Sequence, residues 1–185
     1  ISTSGRFMVR TTTVFRFRLF QDGYLPSRVV TRSYIYKDRE YDLPIVSIVT
    51  DPLNLYDDSL GIYVKGVNGR TGNGQSTPCN WNMDWDRPVN VEYLTVDGEM
   101  VINQEANMEM CGGWSRAWTP HSFKIKANKI YEGENFLPYQ VFPNKAYLKH
   151  KTWQIRNGGN DTGSRIKDAA LQTIVHTSGL EVDGQ

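Results

Sequence analysis

A chain of 185 residues, 39% hydrophobic and 22% charged, is long enough for one ordinary domain or for one domain plus part of another, and too apolar to be a disordered tail. Twenty-one basic and 20 acidic residues leave a formal charge of +1, a balance that argues against a dedicated polyanion binder such as a nucleic-acid-binding protein. No apolar run approaches the roughly 18 residues of a membrane-spanning helix.

The first forty residues read as strands. Phe15, Phe17 and Leu19 alternate with Arg16 and Arg18, the period-2 pattern of a strand with one buried face. Asp22-Gly23 supplies the residue types of a hairpin turn, and Val29, Val30, Tyr34 and Tyr36 continue in a second β-rich run. Two or three strands are not stable alone, so they belong to a larger sandwich or pack on the rest of the chain. Residue 1 falls within this β-rich segment with no initiator Met or signal peptide, so the chain is expected to be a processed or trimmed piece of a longer protein.

Leu43-Pro44 opens a new region. Ile45–Val49 reads as a short strand, and Thr50-Asp51-Pro52 as a helix start with a cap residue ahead of proline. Residues 66–80, rich in Gly, Asn, Ser and Thr, read as a long mobile loop. Val89–Val96, the turn at Asp97-Gly98, Met100–Ile102 and Ala106–Met110 form a meander. Ser122–Ala127 is another strand, with Phe123 and Ile125 opposite Lys124 and Lys126, and Trp153–Arg156 is the last. From Asp161 the period becomes helical. Ile166, Ala170, Thr173, Ile174 and Thr177 share one stripe, expected to be buried, with Asp161 as cap and Gly179 at the end. The expected fold is therefore a β-rich α+β chain. A mixed or antiparallel sheet carries one long C-terminal helix at about 162–177, with sandwich-derived strands ahead of it.

Three clusters are candidates for chemistry. In Cys111-Gly112-Gly113-Trp114-Ser115-Arg116, two glycines let a backbone approach an anion and Arg116 offers a bidentate donor. The pattern alone favours a glycine bulge with Arg116 in an ion pair. Asn157-Gly158-Gly159-Asn160-Asp161 leads into the helix, and a capped turn is its simpler reading, since Asp161 would repel an anion there. Trp81, Trp85, Trp114 and Trp118 would stack on sugar rings if exposed, and the core is the expected place for at least two of them. Asp57-Asp58, Asp84 and Asp86 read as solvated turn residues. Cys79 and Cys111 are in no metal-ligand spacing, and His121, His150 and His176 stand too far apart to pair on a helix, so no zinc site is expected.

In order along residues 43–177, these segments resemble the CotH kinase family. The residues are Leu43-Pro44-Ile45-Val46-Ser47-Ile48-Val49-Thr50-Asp51-Pro52, Gly61-Ile62-Tyr63-Val64, Trp85-Asp86-Arg87-Pro88-Val89-Asn90-Val91-Glu92-Tyr93, Gly112-Gly113-Trp114-Ser115-Arg116, Ser122-Phe123-Lys124-Ile125-Lys126, Tyr131-Glu132-Gly133, and Ile155-Arg156-Asn157-Gly158-Gly159-Asn160-Asp161 with Arg165-Ile166-Lys167-Asp168. Residues 11–36 resemble the last strands of small β-sandwich modules of secreted glycan-associated proteins. The resemblance implies a module end at 1–40 and the first lobe of an atypical kinase at 43–185. It further implies ATP with Mg or Mn as cofactors, a protein substrate or surface glycan as partner, and a secreted, cell-surface or periplasmic location. The implied phosphate contacts are Gly112, Gly113, Ser115 and Arg116, with Lys124 or Lys126 on the adjoining strand. The chain departs from the family at His121, where a lysine is usual, and a mostly neutral imidazole is no permanent counter-charge. The family's acidic metal-binding and catalytic motifs lie downstream of the helix, so no catalytic residue is assigned here. These residues are expected to be inactive alone and to hold no cofactor. An oxidising location would also allow a Cys79–Cys111 bridge, against which stand two unpaired thiols. The alternative reading is a non-enzymatic extracellular module binding carbohydrate or protein, or a structural spacer at a cell surface.

Overall fold

The computed structural model describes residues 5–132, 134–143, 145–161 and 163–180. The chain is α+β and strand-rich, with antiparallel pairings and one long helix near its C-terminus. Nine strands and three α-helices follow one another among the described residues. They are β1 (Thr13–Phe17), β2 (Val30–Tyr34), β3 (Ile45–Val49), α1 (Pro52–Tyr56), β4 (Arg70–Gly72), β5 (Gln75–Cys79), β6 (Arg87–Leu94), β7 (Met100–Cys111), β8 (Ser122–Ala127), α2 (Lys129–Glu132), β9 (Thr152–Ile155) and α3 (Lys167–Thr177). The main sheet has the order β3-β6-β7-β8-β9. The chain divides into two compact units, one running to Val49 and including Asn90–Gln104, the other formed by Thr50–Val89 and the residues from Glu105 onward.

In the first unit, β1 and β2 form an antiparallel ribbon with Phe15 opposite Arg32. The expected buried face is only partly so: Phe15 is half-buried, while Phe17 and Leu19 are exposed. Thr31 and Ser33, which alternate to the other face, are the buried residues of β2. Polar contacts hold that face. The fully buried Glu92 carboxylate accepts from the Ser33 amide at 3.0 and 3.2 Å, and Asn103 Nδ2 donates to the Thr31 carbonyl at 3.1 Å. β3 pairs with the outer half of β6, Ile45 opposite Leu94.

In the second unit, α1 starts as the sequence predicts: Asp51 caps it by accepting from the Leu53 amide at 3.0 Å, with Pro52 in the first turn. Residues 66–80 are not a structureless loop. β4 and β5 make a hairpin there whose two-residue turn, Asn73-Gly74, has both φ angles positive, +53° and +82°. Two fully buried asparagines organise it. Asn80 Nδ2 donates to the carbonyls of Asp58 and Gly61, its Oδ1 accepts from the Asn68 amide, and Asn82 Nδ2 donates to the Arg70 carbonyl. Gly66 and Gly69 permit this closeness, because an added Cβ would lie within 2.5 Å of Asn80 and Cys79 atoms.

The core of this unit lies on one face of β7-β8-β9. Met108, Ile125 and Trp153 stand opposite one another and are buried. The intervening positions, Glu109, Lys124 and Gln154, share the other face, so one strand alternation separates an apolar from a polar surface. Truncating Ile125 to Ala would cost about 2–5 kcal/mol.

α3 occupies the predicted place but not the predicted environment. It begins at Lys167 and has no buried residue; Ile166 is 64% and Ile174 61% exposed, so the stripe read as core faces solvent. Periodicity reports amphipathicity, not the presence of a surface to cover it. The end is as expected, with Gly179 at φ +80° just past Ser178.

Candidate anion-binding cleft

At the end of β7 the chain must turn sharply. Gly112 does so at φ +99°, a left-handed conformation a side chain would resist, and a short 3-10 turn, Trp114–Ala117, follows. The Arg116 and Trp118 amides close it by donating to the carbonyls of Gly113 and Ser115, each at 3.0 Å. Arg116 is not in an ion pair. Its Nε donates to the Gly112 carbonyl at 3.0 Å and its Nη1 to the Trp81 carbonyl at 3.1 Å, so the guanidinium fastens the turn.

The segment after β9 closes on this turn. The Asn157 amide donates to Ser122 Oγ at 2.9 Å, and its Nδ2 donates to the carbonyls of Ser115 at 3.0 Å and Trp118 at 3.3 Å. A cleft of 290 Å³ results, lined by Gly112, Gly113, Ser115, Ser122, Gln154, Arg156 and Asn157. Arg156, half-exposed, also pairs with Asp168 of α3. The Arg156 guanidinium, shared with Asp168, the two hydroxyls and the backbone at Gly112-Gly113 can together meet an oxyanion such as a phosphate.

Of the six residues assigned from sequence, Gly112, Gly113 and Ser115 line this cleft, while Arg116 serves the turn behind it. Lys124 and Lys126 stand on the polar face of β8 and are engaged with acids: Lys124 lies 3.6 Å from Glu109, and Lys126 lies 2.7 Å from Asp86 and 3.0 Å from Glu109. Burial works against the Lys126 charge, but the Asp86 and Glu109 carboxylates outweigh it and hold the ammonium above the usual lysine range. Asp86 is therefore an ion-pair partner, not a free turn residue.

The sequence reading missed Arg156, Asn157, Ser122 and Gln154 as lining residues. The pattern gives Arg156 to the end of the last strand and Asn157 to the start of a capped turn. That turn exists: Gly159 donates its amide to Asn157 Oδ1 at 2.9 Å, and Asp161 accepts from Ser164 and from the Lys167 amide at 2.8 Å. The Ser164 hydrogen bonds, with that of Lys167, hold the Asp161 carboxyl below its usual value. Ser122 and Gln154 enter through strand register, to which composition is blind.

His121 is buried, 5% exposed, and its Nδ1–H donates to the Arg116 carbonyl at 2.6 Å. Its ring meets that of Tyr63 edge-on, centroids 4.2 Å apart. Burial lowers its pKa, so the imidazole is neutral and its role is to brace the turn. Cys79 and Cys111 are both buried free thiols, and burial pushes each above the usual value. Of the four tryptophans, Trp114 is exposed and the other three are half-buried. Among the described residues no group of three or more His, Cys, Asp or Glu side chains is placed to hold a metal ion, and no helix is long and apolar enough to cross a membrane.

Comparison with protein families, with curated proteins and with solved structures finds no match.

Proposed function

We propose that the chain is the nucleotide-side portion of a CotH-like kinase and that the cleft beneath Gly112-Gly113 takes phosphate. One observation supports this above the others. The segments Gly112–Arg116 and Ile155–Asp161, about forty residues apart and both among those that resemble the family, meet in one polar cleft tied by Asn157. The backbone at Gly112-Gly113 would approach the phosphate oxygens, Ser115 and Ser122 would donate from their hydroxyls, and Arg156 would supply the charge. ATP with Mg or Mn is the group the resemblance implies, and when bound it supplies a phosphoryl group for transfer to a protein hydroxyl. The chain's own share is to hold the phosphates. Lys124 and Lys126 are held by Glu109 and Asp86 on the same sheet face, so their charge is balanced there and Arg156 is the cation at the cleft. A secreted or cell-surface setting and a protein substrate belong to the same proposal.

With Arg156 as the one cationic side chain lining the cleft and no cluster of acids to bridge a metal among the described residues, affinity should be low, at about millimolar for ATP. Calorimetric titration with pyrophosphate and with ATP, each with and without magnesium, tests it. Arg156→Ala should abolish the signal and leave the melting temperature unchanged, because Arg156 and Asp168 are an exposed pair. Binding of neither ligand, or equal binding by the variant, would remove the phosphate reading. The carbohydrate-binding alternative, drawn from the tryptophan cluster, has less support, since of Trp81, Trp85, Trp114 and Trp118 only Trp114 is exposed.

A further inference from the structure

The formal charge of +1 conceals a segregation. Residues 5–37 carry seven basic side chains and one acidic one, Asp22, a net of +6; the rest of the chain carries 14 basic and 19 acidic, a net of −5. All seven cations are exposed. They flank the β1–β2 ribbon, whose far end has an unusual composition. Hairpin tips are ordinarily polar. Here Leu19, Phe20, Tyr24 and Leu25 are 76%, 65%, 72% and 94% exposed, all within one loop.

This tip is ordered. The Ser27 amide donates to the Leu19 carbonyl at 3.0 Å, the Leu19 amide donates to Ser27 Oγ at 2.9 Å, and the Tyr24 amide donates to the Gln21 carbonyl at 3.1 Å across Asp22-Gly23. Arg18 sits at the base of the tip. Its Nε donates to the Ser27 carbonyl at 2.9 Å, and its guanidinium lies 5.7 Å from the Phe20 ring centroid, on the boundary between the apolar loop and the basic ribbon.

We propose that this tip inserts into an anionic lipid bilayer. Four large apolar side chains stand exposed on one short loop, and a fluid bilayer can close around all of them. Phe20 and Tyr24 suit the interfacial zone, and the tip's internal hydrogen bonds lower the cost of carrying its backbone there. Arg18 and Arg28 then stand level with the headgroups, where the remaining ribbon cations add long-range attraction to negative lipid. A nucleic acid or an acidic glycan would engage the arginines and rings but leave the aliphatic Leu19 and Leu25 without a partner. Asp22 opposes insertion and limits its depth to the interface.

Co-sedimentation of the full 185-residue chain with vesicles tests the proposal. Vesicles of phosphatidylcholine alone should retain little protein, vesicles containing phosphatidylserine should retain at least about tenfold more, and physiological salt should weaken but not abolish binding. The double variant Phe20→Ser with Leu25→Ser should lower binding to the anionic vesicles about tenfold or more, with an unchanged circular dichroism spectrum. Arg18→Gln should lower it about fivefold. Equal binding to both vesicle types, no binding to either, or full binding by the double variant would overturn it. So would a dimer in analytical ultracentrifugation that the double variant dissolves while vesicle binding is absent, since the tip would then serve a second copy of the chain.

Discussion

Asn157 and Ser115 lie 42 positions apart and are joined by one hydrogen bond, Asn157 Nδ2 to the Ser115 carbonyl at 3.0 Å. That bond, with its companion to Trp118, holds the segment after β9 against the turn after β7, and the cleft exists because of it. Asn157 is buried, so its removal takes the donor from the Trp118 carbonyl, one of two donors from the Ser115 carbonyl, and the acceptor from the Gly159 amide. Asn157→Ala should cost about 2–3 kcal/mol. Asn157→Asp should cost at least as much, because it keeps the acceptor for Gly159 but turns a second oxygen toward the two carbonyls. Urea denaturation of the three proteins measures both. A change for Asn157→Ala below about 0.5 kcal/mol would show that the cleft is held by something else.

A second prediction concerns residues 66–80. Asn80 makes three hydrogen bonds to the backbone of the preceding loop while fully buried, so Asn80→Ala should destabilise by about 2–4 kcal/mol. Limited proteolysis should then cut near Arg70, a site the native hairpin protects. If the variant resisted protease as the parent does, the loop would not depend on Asn80.

That segment also shows what sequence patterning conveys. β8 was legible residue for residue, because Phe123 and Ile125 alternate with Lys124 and Lys126 across a sheet with one wet face. β4 and β5 carry no such alternation. Their order comes from buried side-chain amides, and the dipeptide Asn73-Gly74, a strong hairpin signal, was the clue that composition masked. The cleft was half legible for a related reason. Gly112, Gly113 and Ser115 announce themselves as a motif, but Ser122 and Gln154 are ordinary strand residues until register sets them beside it. Composition does not tell a buried polar residue from a solvated one, and Glu92, Asn80 and Asn157 are among those that the fold buries.

His121 gives stability a pH dependence. Burial lowers its folded pKa below the ordinary value of 6.5, so the unfolded chain takes up a proton before the folded one does. The stabilising effect of the neutral ring is fully present above pH 6.5 and declines as pH falls from there toward the folded pKa. His121→Asn keeps an amide donor where Nδ1 meets the Arg116 carbonyl and removes the titration. Melting temperatures of parent and variant between pH 8 and 5 should converge on acidification, at about the histidine range. Parallel curves would mean that His121 is as free to ionise in the fold as outside it.

The last prediction reverses an expectation drawn from periodicity. Were Ile166 in a core, Ile166→Asp would place an unpaired charge there and cost several kcal/mol. Its side chain is instead 64% exposed and occupies the N-cap of α3 with no hydrogen bond to the helix. The backbone at Ile166 is near-helical, φ −114° and ψ −2°, so an aspartate there acts through its charge at the positive end of the helix dipole rather than as a side-chain cap. Such a charge is worth about 0.3–1 kcal/mol at an exposed terminus, and little burial is lost in exchange. Asp161 already accepts from the Lys167 amide. Ile166→Asp should therefore leave stability unchanged or raise it by up to about 1 kcal/mol, read from the urea midpoint at neutral pH. The gain should vanish when the carboxylate is protonated, because an uncharged side chain no longer complements the helix terminus. A loss of several kcal/mol would mean that Ile166 is covered, and that the apolar stripe of α3 has a partner surface after all.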